Sequence, residues 1–238
     1  MTNRTIPALA FVLFALPVLA QEEGEDGPWS GTATLGYLAT SGNTENSNLN
    51  AGITVGYTSG RWAHLLATKA IHSADNDVTT AEAYEFGWKS EFSINEYDYL
   101  FGRVDWRKDR FSSYDAQVSE TVGYGRRLID REFHKLNAEI GAGARQSDLV
   151  DGTSESEFVV RAGMDYTWLI SDTSEFVQTL TAEAGDTNTY LESITALKAR
   201  LVGELALVAS YTVKHNTDVL PLTEKTDTYS ALSLEYTF

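Results

Sequence analysis

From Ser47 onward the chain alternates apolar and polar residues at every second position. In "SNLNAGITVGYT" the apolar set is Leu49, Ala51, Ile53, Val55 and Tyr57, with Asn48, Asn50, Gly52, Thr54, Gly56 and Thr58 between them. "HKLNAEIGAGARQ" sets Leu136, Ala138, Ile140, Ala142 and Ala144 against Lys135, Asn137, Glu139, Gly141, Gly143 and Arg145. "ESEFVVRAGMDYTW" repeats the pattern with Phe158, Val160, Ala162, Met164, Tyr166 and Trp168 as its apolar face. A period of two is the side-chain repeat of an extended strand with one greasy and one polar side. Roughly twelve such segments follow one another, near 29–40, 47–58, 62–72, 80–92, 97–111, 116–128, 133–146, 156–168, 175–185, 189–201, 205–216 and 227–238. In the third, fifth and tenth, apolar residues fall on both registers, which leaves ten or fourteen strands open. No helical period competes over a comparable length.

Each segment matches a tilted membrane-spanning strand, about 9–11 residues. The connections alternate as well. "TSGR", "SINE", "IDRE", "SDTS" and "VGE" are tight, whereas "SGNTENS", "SADNDVTT", "SDLVDGTSES" and "NTDVLPLTEKTD" are longer. Short periplasmic turns and longer external loops characterise bacterial outer-membrane barrels. In that topology Trp29, Trp62 and Phe176 begin upward strands, and Tyr57, Trp88, Phe92, Tyr124, Trp168, Tyr236 and Phe238 end downward ones, so all gather at one membrane boundary. The expected fold is therefore all-β: an antiparallel up-and-down transmembrane β-barrel of about twelve strands in the bacterial outer membrane. A closed barrel satisfies its own backbone and can span without continuous hydrophobicity. A soluble periplasmic sandwich would alternate too, but it gives no reason for the closing "ALSLEYTF". There Leu232, Leu234, Tyr236 and Phe238 are apolar at alternate positions up to the last residue, and are read as an assembly signal.

The 238 residues suit one barrel domain. Arg4 followed by apolar residues 6–20, with Val18 and Ala20 at signal-peptidase spacing, reads as a cleaved signal peptide. The division is then signal peptide 1–20, acidic periplasmic segment 21–28 and barrel 29–238. Cysteine is absent, which removes disulfides and thiol chemistry. With 18 basic and 34 acidic residues the net charge is −16, which argues against a nucleic-acid partner.

"GYLATSGNTENSNLNAG", "DYLFGRVDWRKDRFSSYDAQVSETVGYGRRLID", "NTYLES" and "TDTYSALSLEYTF" together resemble the salt-induced outer membrane protein family, a domain family of unknown function. The resemblance covers essentially the whole mature chain. It implies an outer-membrane location in Gram-negative bacteria and a link to salt or envelope stress, and it carries no catalytic residues.

The lumen register of the expected fifth strand is Arg103, Asp105, Arg107 and Asp109, and neighbouring strands add Glu85, Lys89, Glu91, Glu139, Arg145, Arg161 and Asp165. Interspersed signs fit a charge-lined channel for small ions or solutes, or a lumen laced shut by ion pairs. Gly123, Gly125, Gly141, Gly143 and Gly163 would leave room for a solute, accommodate long Arg side chains, or ease the curvature of the wall. Lumen charges are close to balanced on this reading, so the acidic external loops would supply any cation preference, and salt would screen it. An enzyme is not expected: His64, His72, His134 and His215 accompany no nucleophile motif. "SADNDV" lacks the later Gly and Glu of a calcium loop, and no cofactor is called for. Expected partners are outer-membrane lipids, lipopolysaccharide and the barrel assembly machinery. The functions left standing are a small channel or a structural envelope component, with a barrel phospholipase or a surface adhesin as alternatives.

Overall fold

Alternation becomes pleat along nearly the whole chain. In a computed structural model that describes residues 27–40, 46–76, 78–110, 112–221 and 223–238, the strands are β1 (Trp29–Thr40), β2 (Asn46–Ser59), β3 (Trp62–Asp75), β4 (Val78–Ser93), β5 (Asp98–Asp109), β6 (Tyr114–Asp130), β7 (His134–Leu149), β8 (Ser154–Ser171), β9 (Ser174–Gly185), β10 (Thr189–Val202), β11 (Leu205–Asn216) and β12 (Thr226–Thr237). The expected signal peptide, and residues 21–26 of the acidic segment, lie outside the described residues. Each strand pairs antiparallel with its sequence neighbours, and β12 returns to β1 to close the barrel. About twelve strands were expected, with ten or fourteen left open, and the described residues form twelve.

Register follows the alternation. Leu49, Ile53, Phe158, Ile140, Leu232 and Leu234 stand exposed on the outer face, which is the lipid side of such a barrel. At the end where β1 begins and β12 finishes, aromatics form a belt. Trp29 packs on Tyr57 at 4.6 Å between ring centroids and Trp62 on Phe92 at 4.9 Å. His64 stacks between Trp62, at 6.0 Å, and Trp88, at 6.5 Å. His134 lies 5.9 Å from Trp168, and its Nδ1 meets the Tyr166 hydroxyl at 2.9 Å. Both histidines are thus members of the belt.

The opposite end departs from the expectation. "SADNDVTT" and "SDLVDGTSES" are not long loops, because β3 and β4 run to Asp75 and Val78, and β7 and β8 to Leu149 and Ser154. β8 has 18 residues, about 59 Å at ~3.3 Å per residue, and even when tilted it overshoots an apolar band ~25 Å tall. Polar strand ends therefore continue the wall beyond the membrane where separate loops were expected. The β7–β8 turn is pinned by Asp151, which accepts hydrogen bonds from the Thr153 hydroxyl at 2.6 Å and its N–H at 2.9 Å. Those bonds hold the Asp151 carboxyl below the usual carboxylate range.

Candidate functional site

The inner face collects the polar half of every strand. Glu85, Arg103, Asp105, Arg107, Asp109, Glu139, Arg161 and Asp165 line a cavity of about 770 Å³. Lys89, Glu91 and Arg145 stand on the same face, with Lys89 Nζ 2.8 Å from Glu91 and Arg145 wholly buried. The structure thus gathers all the lumen residues expected from the sequence.

Their grouping could not be read from spacing. Three guanidinium groups converge on Glu183, a residue the sequence reading did not single out: Arg107 at 2.9 Å, Arg161 at 2.7 Å and Arg145 at 3.9 Å. Ser119 Oγ donates to the same carboxylate at 3.0 Å, and the Glu183 side chain is fully buried. Arg145 also pairs with Glu157 at 2.6 Å, and Glu157 occupies the space that a side chain on Gly185 would fill. One carboxylate surrounded by three cations is compensated only as a set, because each group left buried without its partner is costly. This hub fills the β5–β9 side of the lumen.

Nearer the aromatic belt, Tyr99 and Phe101 turn inward from β5 and are nearly buried. The Tyr99 hydroxyl donates to Glu139 at 2.8 Å, Glu139 also pairs with Lys89, and the Lys89 ammonium lies 5.5 Å and 5.7 Å from the Tyr99 and Phe101 ring centroids. A Cβ on Gly125 would stand 2.2 Å from the Tyr99 ring, and one on Gly123 2.7 Å from Phe101. Neither a solute, a long Arg nor wall curvature is what Gly125 answers to: it makes room for the Tyr99 ring, while Gly123 makes room for Phe101 and, more tightly, for the Ile140 carbonyl 2.3 Å from its Cβ position. Gly143 answers instead to backbone: its Cβ would fall 1.8 Å from the Glu120 carbonyl oxygen. Gly163 borders the cavity beside Glu139.

Two crossbars span the lumen between distant strands. Lys214 of β11 pairs with Glu85 of β4, and the Tyr229 hydroxyl of β12 donates to Asp109 of β5 at 3.3 Å. Above them the β11–β12 connection folds toward the opposite wall, where Leu220 N–H donates to Ser113 Oγ at 2.8 Å and the Tyr114 hydroxyl donates to the Asp218 carbonyl at 3.2 Å. At the other end Glu235 pairs with Lys198 at 2.9 Å, and Thr32 and Glu235 line both the main cavity and a smaller one of about 180 Å³ beneath it. Glu235, held by Lys198, thus stands where the two cavities meet.

The charged residues lining the cavity are mostly acidic before their ion-pair partners are counted. They comprise eight carboxylates, Glu85, Asp105, Asp109, Glu139, Asp165, Glu192, Asp227 and Glu235, against the four bases Lys69, Arg103, Arg107 and Arg161. Lys214, Lys89 and Lys198 stand beside Glu85, Glu139 and Glu235, so the groups without an ion pair decide the sign. Among the described residues these include Asp165, Glu192 and Asp227, against Lys69. The sequence reading missed Glu183, Glu192, Asp227 and Glu235, and among bases Lys69, Lys198 and Lys214; these additions shift the expected near-balance by a single charge and change mainly which groups stay unpaired. No group of three metal-ligating side chains occurs among the described residues.

Similar proteins agree with this architecture. "Uncharacterized protein YdiY" of Escherichia coli (strain K12) is 33% identical over 210 residues, 88% of this chain and 83% of that one. Among solved structures, an outer membrane channel from Pseudomonas putida F1 superposes with a TM-score of 0.52 at 10% identity, covering 91% of this chain and 97% of that one. The NanC porin gives 0.49 at 10% identity, over 87% of this chain and 97% of its own. The likeness to the Pseudomonas putida channel shows an outer-membrane-type barrel fold. The model of the family described as "Protein of unknown function, DUF481" matches residues 33–238, and the chain belongs to that family.

Proposed function

We propose that the protein is a non-enzymatic channel in the bacterial outer membrane that passes small hydrophilic ions and solutes with a modest preference for cations. The observation that carries this reading is the polar cavity of about 770 Å³, which extends from Thr32 and Glu235 near the aromatic belt to Asn48, Ser73 and Thr80 near the other end. Unpaired carboxylates in a narrow aqueous space raise the local cation concentration. Lipid and lipopolysaccharide surround the barrel, and an assembly machinery places it there. A role under salt or envelope stress follows from the family resemblance.

Single-channel recording on refolded protein in planar bilayers tests it: discrete conductance steps are expected, and their absence sinks the channel. The crossbars favour a second reading, a structural barrel closed by Lys214–Glu85 and Tyr229–Asp109. The Glu85→Ala/Tyr229→Phe variant then decides. It conducts better than a channel-forming wild type, or conducts where a closed wild type does not.

A further inference from the structure

The seam between β1 and β12 is paired over only part of its length. Its ladder runs from Thr32–Thr237 to Leu35–Leu234, with Gly31 and Phe238 exchanging backbone hydrogen bonds at its foot. Every other pair of neighbouring strands is laddered over ten or more residues. Above Leu35 no register pair joins β1 to β12 among the described residues. What bridges them there is a side-chain hydrogen bond, Ser233 Oγ to Asn50 Oδ1 at 2.7 Å, which passes over β1 at Gly36 and links β12 to β2. A Cβ on Gly36 would lie 2.5 Å from the Leu232 carbonyl and 2.6 Å from the Asn50 amide, so only glycine leaves space for that link.

Two further features bear on what this opening admits. Gly36 and Ser233 would pair next and Tyr37 and Leu232 after them; these last two are each 62% exposed on the apolar outer face, so the unpaired stretch begins inside the membrane band. Backbone left unpaired at that depth is costly unless a polar group meets it. On the inner side, β1 and β2 contain no Asp, Glu, Lys, Arg or His, and the cavity wall beside the unpaired stretch is Asn50, Ser210 and Ser233, with Glu235 opposite Thr34 in the ladder below and Asp227 further along β12 above. Between those two carboxylates the wall is a neutral surface of hydroxyls and amides.

We propose that the upper half of the β1–β12 seam is a lateral portal through which a single-chain amphiphile with an uncharged, hydroxyl-rich head passes between bilayer and lumen. Its chain stays against Tyr37 and Leu232, while its head exchanges hydrogen bonds with the unpaired strand edges and then with the neutral wall. The proposal rests on the barrel spanning a membrane, but not on its conducting ions.

The test uses the full chain refolded into phosphatidylcholine vesicles containing a dodecyl glucoside with a photoactivatable diazirine. Labelled peptides are mapped after irradiation, and label is expected on Thr34, Asn50 and Ser210 of the inner face. The chain has no cysteine, so the Tyr37→Cys/Leu232→Cys pair, oxidised or joined by a short bismaleimide, locks the seam cleanly. Locking should lower inner-face labelling about tenfold, as expected when a conformational route is closed, while labelling of outer-face Leu207 persists. A control lock in the ladder, Leu35→Cys/Leu234→Cys, should change nothing. Equal inner-face labelling with and without the lock, or label confined to the outer face, overturns the portal. The Tyr37 and Leu232 cysteines cross-linking to a second chain overturns it too, because the edge is then occupied by protein. Conductance recorded on the same samples keeps the readings apart: lock-sensitive labelling without conductance removes the channel and leaves the portal.

Discussion

The ring of Phe238 lies in the notch left by Gly31, 2.5 Å from the point where a Cβ on that glycine would stand. The two residues also exchange backbone hydrogen bonds, Gly31 N–H to the Phe238 carbonyl at 2.8 Å and Phe238 N–H to the Gly31 carbonyl at 2.9 Å. The last residue therefore fastens the foot of the closing seam.

Folded protein in detergent should migrate differently on a gel before and after boiling, because a closed barrel holds until heated. Gly31→Leu expels the ring, and this variant should lose the folded band at a lower temperature. Deletion of Phe238 should cut assembled protein in the outer membrane far more than one interfacial contact explains, since Leu232, Leu234 and Tyr236 with Phe238 are read as the assembly signal. Normal accumulation of the deletion variant removes that role, and one band at all temperatures removes the barrel.

Tyr99 and Gly125 are matched in shape. Gly125→Val should destabilise the barrel by about 1–3 kcal/mol, the usual cost of overpacking. Combined with Tyr99→Ala it should cost less than the sum of the single changes, because the pair shares one space. Strict additivity in urea unfolding would show that ring and notch are independent.

Glu183 holds three guanidinium groups, so Glu183→Ala leaves buried cations without their partner. A loss of about 3–5 kcal/mol is expected, while Glu91→Ala, 22% exposed between Lys89 and Arg127, should cost less, about 1–2 kcal/mol. If the two variants unfold alike, the hub does not stabilise the fold.

Selectivity separates rim from wall. Charges at the strand ends are screened over ~8 Å in physiological salt and ~3 Å at 1 M, whereas carboxylates facing a narrow lumen are screened less. The channel should prefer cations in dilute salt and keep part of that preference at ~1 M. The Asp165→Asn/Glu192→Gln/Asp227→Asn variant should lose the remainder. Reversal potentials across a salt gradient decide; a preference that vanishes at ~1 M in the unmodified protein returns selectivity to the rim.

Strand number, closure and inner face were legible in the sequence because one periodicity encodes them all: alternation sets register, and register sets the face. The fifth strand was harder. Tyr99 and Phe101 are aromatic on the polar register, and Gly125 beside Tyr99, with Gly123 and Gly141 beside Phe101, leave the space in which the rings fit inside. Glu183 was missed for a related reason. Nothing in "TAEAG" marks it: Arg161 faces it from the neighbouring strand β8, but Arg107 of β5 and Arg145 of β7 reach it only through the fold. Loop lengths were misjudged because polar residues such as Asp148 and Glu155 lie in strand that outruns the membrane, and composition cannot distinguish a wet strand from a loop.

The crossbars also order events in time. Ser233 and Asn50 are 183 residues apart in sequence, Lys214 and Glu85 129, and Tyr229 and Asp109 120. Contacts of such separation come late, because the intervening chain must be arranged before they repay its loss of freedom. Strand pairing between neighbours does not wait for them. A nascent barrel missing β11 and β12 would hold Glu85 and Asp109 without these cross-lumen partners, in an interior still filled with water. Completion of the C-terminal hairpin then closes the wall and ties its interior together in the same step, so a truncated chain lacks more than two strands: it lacks the final locking of everything already built.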